Sequence, residues 1–121
     1  MAQPAEFDAT FEALRALFKP YERHFVVIVN KPGKYYLSYN TPKTASGTIW
    51  FGGAEIKKNY VTYHFVPIYA APALVKTLPA SLKKRMQGKG CFNFTAIEPA
   101  QMKALKTLTK KGFDSFIKKF Q

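Results

Sequence analysis

Acidic side chains are scarce in this chain, seven against 19 Lys and Arg in 121 residues, and cysteine occurs once. A single cysteine, Cys91, has no internal disulfide partner. That excludes a disulfide-built scaffold and makes a reducing cytoplasm the expected compartment. Long hydrophobic runs are missing too. Stretches such as Phe25 to Val29 fall far short of the roughly 20 residues a spanning helix needs, so no membrane passage is expected. The opening Met1-Ala2-Gln3-Pro4-Ala5-Glu6 lacks the basic-then-apolar order of a secretory signal. The two histidines, His24 and His64, lie 40 positions apart and outside any ligand-spaced motif, which speaks against a metal centre built on imidazoles. No G-x-S-x-G, Walker loop, dinucleotide fingerprint or H-E-x-x-H occurs, and a non-enzymatic role without a cofactor is expected.

What is present is a globular composition, 47% hydrophobic and 16% aromatic, which excludes a disordered tail. A chain of this length buries enough surface for one core. The net charge of +12 is uneven: residues 1–60 carry eight basic and five acidic side chains, and residues 61–121 carry eleven and two. Such a field attracts nucleic acid, anionic membrane or acidic protein, although lysines of this kind also serve simply to keep a small domain soluble.

Phe7, Phe11, Leu14, Phe18 and Tyr21 recur at steps of four and three, the spacing of one helical face, and predict a helix from about Pro4 to Lys19 ended by Pro20. Phe25 to Val29 and Tyr35 to Tyr39, joined by Lys31-Pro32-Gly33-Lys34, predict a hairpin. Thr48 to Phe51 begins a third strand, in which Gly52-Gly53 signals a bulge or a close backbone approach. Lys57-Lys58-Asn59 forms a tight turn into a fourth strand, with Val61, Tyr63 and Phe65 on one face and Thr62 and His64 on the other. Ala73 to Val75 fits one helical turn. A second short helix opens at Pro79, with Leu78, Leu82 and Met86 along one side and Gly88 as its C-terminal cap. Cys91-Phe92-Asn93-Phe94 reads as the last strand. Glu98 capping Pro99 then opens a final helix striped by Met102, Leu105, Leu108, Phe113, Phe116 and Phe120, with Gly112 as its weak point. The sum is a single α+β domain, an antiparallel sheet of about five strands packed by N- and C-terminal helices.

The segment Trp50 to Phe65, with its His64-Phe65 pair, and the later Gly88-Lys89-Gly90-Cys91-Phe92-Asn93-Phe94 resemble the YdhG-like domain-of-unknown-function family over roughly residues 7 to 117. The resemblance implies a compact α+β fold and little chemistry. One branch of that family is described as frataxin-like iron chaperones, which would make iron the cargo. Asp8 and Glu12, four apart on the first helix, with His24 as a further candidate, are the residues that reading would use, but Arg15 is spaced to pair with Glu12 instead.

The sharpest local feature is Lys83-Lys84-Arg85-Met86-Gln87-Gly88-Lys89-Gly90, cations around glycines whose free N–H groups suit an anion. A capped helix followed by a tight turn explains the same residues. The preferred expectation is a binding or accessory domain that recognises an anionic partner or small ligand through Lys57, Lys58, Arg85 and Lys89. Its groove would be lined by Trp50, Tyr36 and Tyr63. Nucleic-acid binding by the basic second half is the other polyanion reading, without an RRM, KH or helix-turn-helix signature to support it. A Cys91–His64 dyad is open to the fold, but a cysteine bordering an aromatic strand is more often a small buried hydrophobe.

Overall fold

Phe7, Phe11, Leu14 and Phe18 form the buried stripe of α1 (Pro4–Phe18), as their spacing predicts. The structure, a computed structural model, describes residues 4–88 and 90–120. Pro20 does end the α-helix, but the chain continues as a 3-10 helix over Lys19–His24, so Tyr21 leaves the α1 stripe and packs on Phe113 with ring centroids 4.6 Å apart.

Six strands follow: β1 (Val26–Lys31), β2 (Lys34–Asn40), β3 (Thr48–Ile56), β4 (Val61–Phe65), β5 (Met86–Gln87) and β6 (Cys91–Phe94). They form one antiparallel sheet in the order β1-β2-β3-β4-β6-β5. Three single-turn helices, α2 (Pro67–Ala70), α3 (Ala73–Lys76) and α4 (Ala80–Lys83), connect β4 to β5. The long α5 (Pro99–Phe120) closes the fold. The α+β architecture with terminal helices on an antiparallel sheet is therefore as expected.

The strand count is corrected from about five to six, because the predicted helix reaching Met86 stops at Lys83. Met86 and Gln87 pair with Phe92 and Cys91 instead. Leu78, Leu82 and Met86 all still contact the core, which is why their spacing imitates a helix. Gly88 accordingly occupies the β5–β6 turn, at φ 72°, and does not cap a helix.

All the helices lie on one face of the sheet. α1 packs on β3 and β4, while α2, α3 and α4 pack on α5. The core between helices and sheet is largely aromatic: Phe18 stacks on Tyr63 at 4.8 Å, and Phe51 meets Phe25 at 4.2 Å and Phe116 at 5.2 Å. The Glu98–Pro99 start of α5 is as predicted, and Gln101 adds half of a capping box by accepting the Glu98 N–H at 3.0 Å. Among the described residues no helix is long and apolar enough to cross a membrane.

A bulge in β3 decides what the other face displays. Leu37 pairs with Gly52 and Ser38 with Trp50, leaving Phe51 unpaired between them. The extra residue lets Phe51 enter the core while Trp50 emerges on the opposite face, 48% exposed. The bulge predicted at Gly52-Gly53 is thus shifted by one residue. The close approach is also there: a Cβ on Gly52 would lie 2.9 Å from the Phe18 ring.

Candidate functional site

The face that no helix covers is built by alternation. Tyr36 on β2, Trp50 and Glu55 on β3, Thr62 and His64 on β4, and Cys91 and Asn93 on β6 are the residues whose neighbours in the chain point into the core. Towards the β6 side this face sinks into a depression of about 300 Å³ lined by Tyr36, Lys57, Tyr60, Thr62, His64, Gln87, Cys91 and Asn93. A larger hollow of about 430 Å³ beside the 3-10 helix is lined by Lys19, Pro20, Glu22, Arg23 and Val27, but its Lys19 and Glu22 pair with each other at 3.5 Å.

One wall of the depression is a polar relay. Tyr36 donates its hydroxyl to Glu55 Oε1 at 2.8 Å, and Lys57 donates to Oε2 of the same carboxylate at 3.1 Å. Burial pushes the Glu55 carboxyl up, yet these two hydrogen bonds together with the Lys57 and Lys34 charges outweigh it and hold the carboxyl below its usual range. Burial, then the bond to Glu55, raises the Tyr36 phenol. Trp50 leans against Tyr36 with ring centroids 5.1 Å apart, so an exposed indole continues this wall.

The floor carries the chemistry. His64 and Cys91 are direct cross-strand partners on β4 and β6, and His64 Nδ1 lies 2.9 Å from Cys91 Sγ. Burial pulls the imidazole below its ordinary value. It pushes the thiol up, opposed in part by the Thr62 hydroxyl and the Lys57 charge. Both effects favour the uncharged pair, a thiol hydrogen-bonded to a neutral imidazole.

The predicted groove residues divide. Tyr36 and Lys57 line the depression, and Trp50 flanks it through Tyr36. Lys58 is exposed in the adjoining β3–β4 turn. Arg85 lies opposite Asn93, whose N–H it accepts at 2.8 Å, and its Nε is buried without a hydrogen-bond partner among the described residues. Lys89 lies outside the described residues.

Tyr63 is a correction. Its side chain is fully buried on the helix side, stacked on Phe18 and hydrogen-bonded to the Thr109 hydroxyl at 2.5 Å, so it lines no groove.

The acidic pair on α1 does not act together. Arg15 holds Glu12 Oε1 through both Nε, at 2.9 Å, and Nη2, at 2.7 Å, while Asp8 is exposed one turn away. His24 is exposed and packs at a tilt on Phe113 with ring centroids 5.0 Å apart, on the helix side and away from His64. Among the described residues no group of three or more His, Cys, Asp and Glu is placed to hold a metal ion. On the last helix Lys103 and Lys106 are exposed, and Lys110 pairs with Asp114 at 3.4 Å.

Sequence reasoning raised the Cys91–His64 pair only as open to the fold. The signal that finds it is strand order, since β6 inserts between β4 and β5, and nothing local in either strand announces that neighbour. Gln87 reaches the same depression because of the short β5, which sequence reasoning had absorbed into a helix. Comparison of the chain with family models, with curated proteins and with solved structures finds no match.

Proposed function

We propose that the chain is a small binding domain that takes an anionic compound bearing a flat ring on its uncovered sheet face. The observation that carries this reading is that a half-exposed Trp50, tilted against Tyr36 at 5.1 Å, flanks the depression that Tyr36 and Lys57 line. An aromatic ring has a platform there, and an anion has a cation whose own carboxylate partner is already shared with Tyr36. Lys58, exposed in the neighbouring turn, adds to the same positive rim.

Trp50 is the only tryptophan, so its fluorescence reports on this wall alone. Adenosine monophosphate and adenosine serve as probes that share a ring and differ in the anion. The expected result is a saturable quench by the monophosphate, with adenosine binding at least about tenfold more weakly, the loss of one charge-assisted contact. Lys57→Ala brings the monophosphate to the level of adenosine. No saturable change with the monophosphate, or equal binding by Lys57→Ala, removes the reading. Binding of single-stranded DNA that collapses steeply between about 50 and 200 mM salt, without response from Trp50, transfers the basic surface to polyanion attraction.

A further inference from the structure

The Cys91 thiol and the His64 imidazole meet at 2.9 Å on the floor of the depression, in a directly paired register position of two central strands. The contact is therefore set by the sheet and not by a flexible loop. Gln87, the cross-strand partner of Cys91 on β5, and Asn93, two residues along β6, line the same depression and bring side-chain amide N–H groups to it.

We propose that Cys91 and His64 form a nucleophile–base pair that accepts the acyl group of a small activated acyl donor, a thioester in chemical class. As the bond from Sγ to the carbonyl carbon forms, the thiol proton passes to His64 Nδ1. The tetrahedral adduct then collapses. The bond from the carbonyl carbon to the leaving sulfur breaks with its electron pair, and that sulfur takes the proton back from Nδ1. The products are S-acyl Cys91 and a free thiol, and neither an oxidant nor a reductant enters.

The arrangement favours acyl chemistry over disulfide exchange. Exchange is the work of a preformed thiolate, whereas here one proton is shared in a thiol–imidazole bond and the base acts as the nucleophile attacks. The amides of Gln87 and Asn93 are the donors at hand for the negative oxygen that an acyl carbon develops. Burial keeps the imidazole in its base form at neutral pH. Among the described residues, the titratable groups around the pair are Tyr36 from β2, Lys57 in the β3–β4 turn and Tyr60 just before β4, with Glu55 of β3 bonded to Tyr36 and Lys57. Glu55 is held by Tyr36 and Lys57, leaving the thiol as the polar partner of Nδ1. Among the described residues no helix contributes a charge, because the helices pack on the other face.

The test is acylation of the folded chain by p-nitrophenyl acetate, followed by release of nitrophenolate and by mass mapping of the acetylated peptides. The expected outcome is one acetyl group on the Cys91 peptide, with a rate that rises through an inflection below the ordinary imidazole value and then levels. Cys91→Ser loses that acetyl group. His64→Gln, checked for fold by circular dichroism, acylates about 100-fold more slowly, the scale of a general base. Acetylation confined to lysines overturns the proposal. So does a rate that climbs with pH to the free-thiol range, which decides the matter from the wild type if His64→Gln does not fold. The inference shares its depression with the ligand reading but not its readout. Acylated Cys91 without saturable nucleotide binding removes only the former reading, and the converse removes only this one.

Discussion

Gly112 on α5 lies directly against the ring of Phe65 on β4: a methyl group on Gly112 would come within 2.4 Å of two ring carbons and 3.2 Å of Pro67 Cβ. The glycine that weakens the helix locally is what lets the helix seat on the sheet. Alanine at this position gains about 1 kcal/mol of helix propensity. It also overpacks a buried seam, at a cost of about 1–3 kcal/mol plus any displacement of Phe65. Gly112→Ala is expected to destabilise the domain in urea titration. A variant more stable than the wild type would mean that Phe65 swings aside freely.

Tyr63 and Thr109 join the same two elements by a buried hydroxyl–hydroxyl bond of 2.5 Å. Removing one partner strands the other in an apolar seam, whereas removing both leaves no orphan. Tyr63→Phe and Thr109→Val are each expected to cost about 1–2 kcal/mol, and the double variant less than the sum by about 1 kcal/mol. A double-mutant cycle by chemical denaturation measures that coupling, and strict additivity would show that the bond contributes nothing.

The contrast between these two seams shows what was legible beforehand. The spacing of Phe7, Phe11, Leu14 and Phe18 and the alternation along Val61 to Phe65 are local patterns, and the elements follow them. That alternation already grouped Tyr63 with Val61 and Phe65, so placing Tyr63 in a groove ran against its own strand. Trp50 and Phe51 were harder to sort, because an unpaired residue resets which face each side chain takes and the bulge depends on β2. Met86 sat at helical spacing from Leu82 while belonging to a strand of two residues that exists only through pairing with β6. The Cys91–His64 contact is of the same kind: each residue was visible, but their meeting is a property of strand order.

That pair also gives stability a defined pH dependence. Burial depresses the His64 imidazole below its ordinary value of 6.5, so just below that pH the unfolded chain holds more protons than the folded one. Stability from this group is complete above about 6.5 and is lost as the pH falls through the folded value. Cys91 acts at the other end. Its thiol is raised above the ordinary 9.0, the unfolded chain ionises first, and stability falls as the pH rises past that point. Denaturation midpoints measured across this range should form a plateau between the two limits. His64→Gln should flatten the fall just below pH 6.5 and keep the alkaline one; an unchanged acid limb would assign it to other groups.

The free edge of the sheet makes a last prediction. β1 is an outermost strand, and Val26, Val27 and Ile28 are 44%, 39% and 42% exposed along it. An apolar edge invites strand addition from another chain. Two features already oppose that: the register break between Val27 and Val29, which interrupts a regular ladder, and the chain's net charge of +12. Ile28 falls at the break and is exposed, so it adds little to the core. Ile28→Lys is expected to shift the unfolding free energy by no more than about 0.5 kcal/mol. It should nevertheless raise the temperature at which light scattering sets in, because a charge on the edge disfavours pairing between chains. A large loss of stability would show that Ile28 packs more tightly than its exposure implies, and unchanged scattering would move the aggregation-prone surface away from β1.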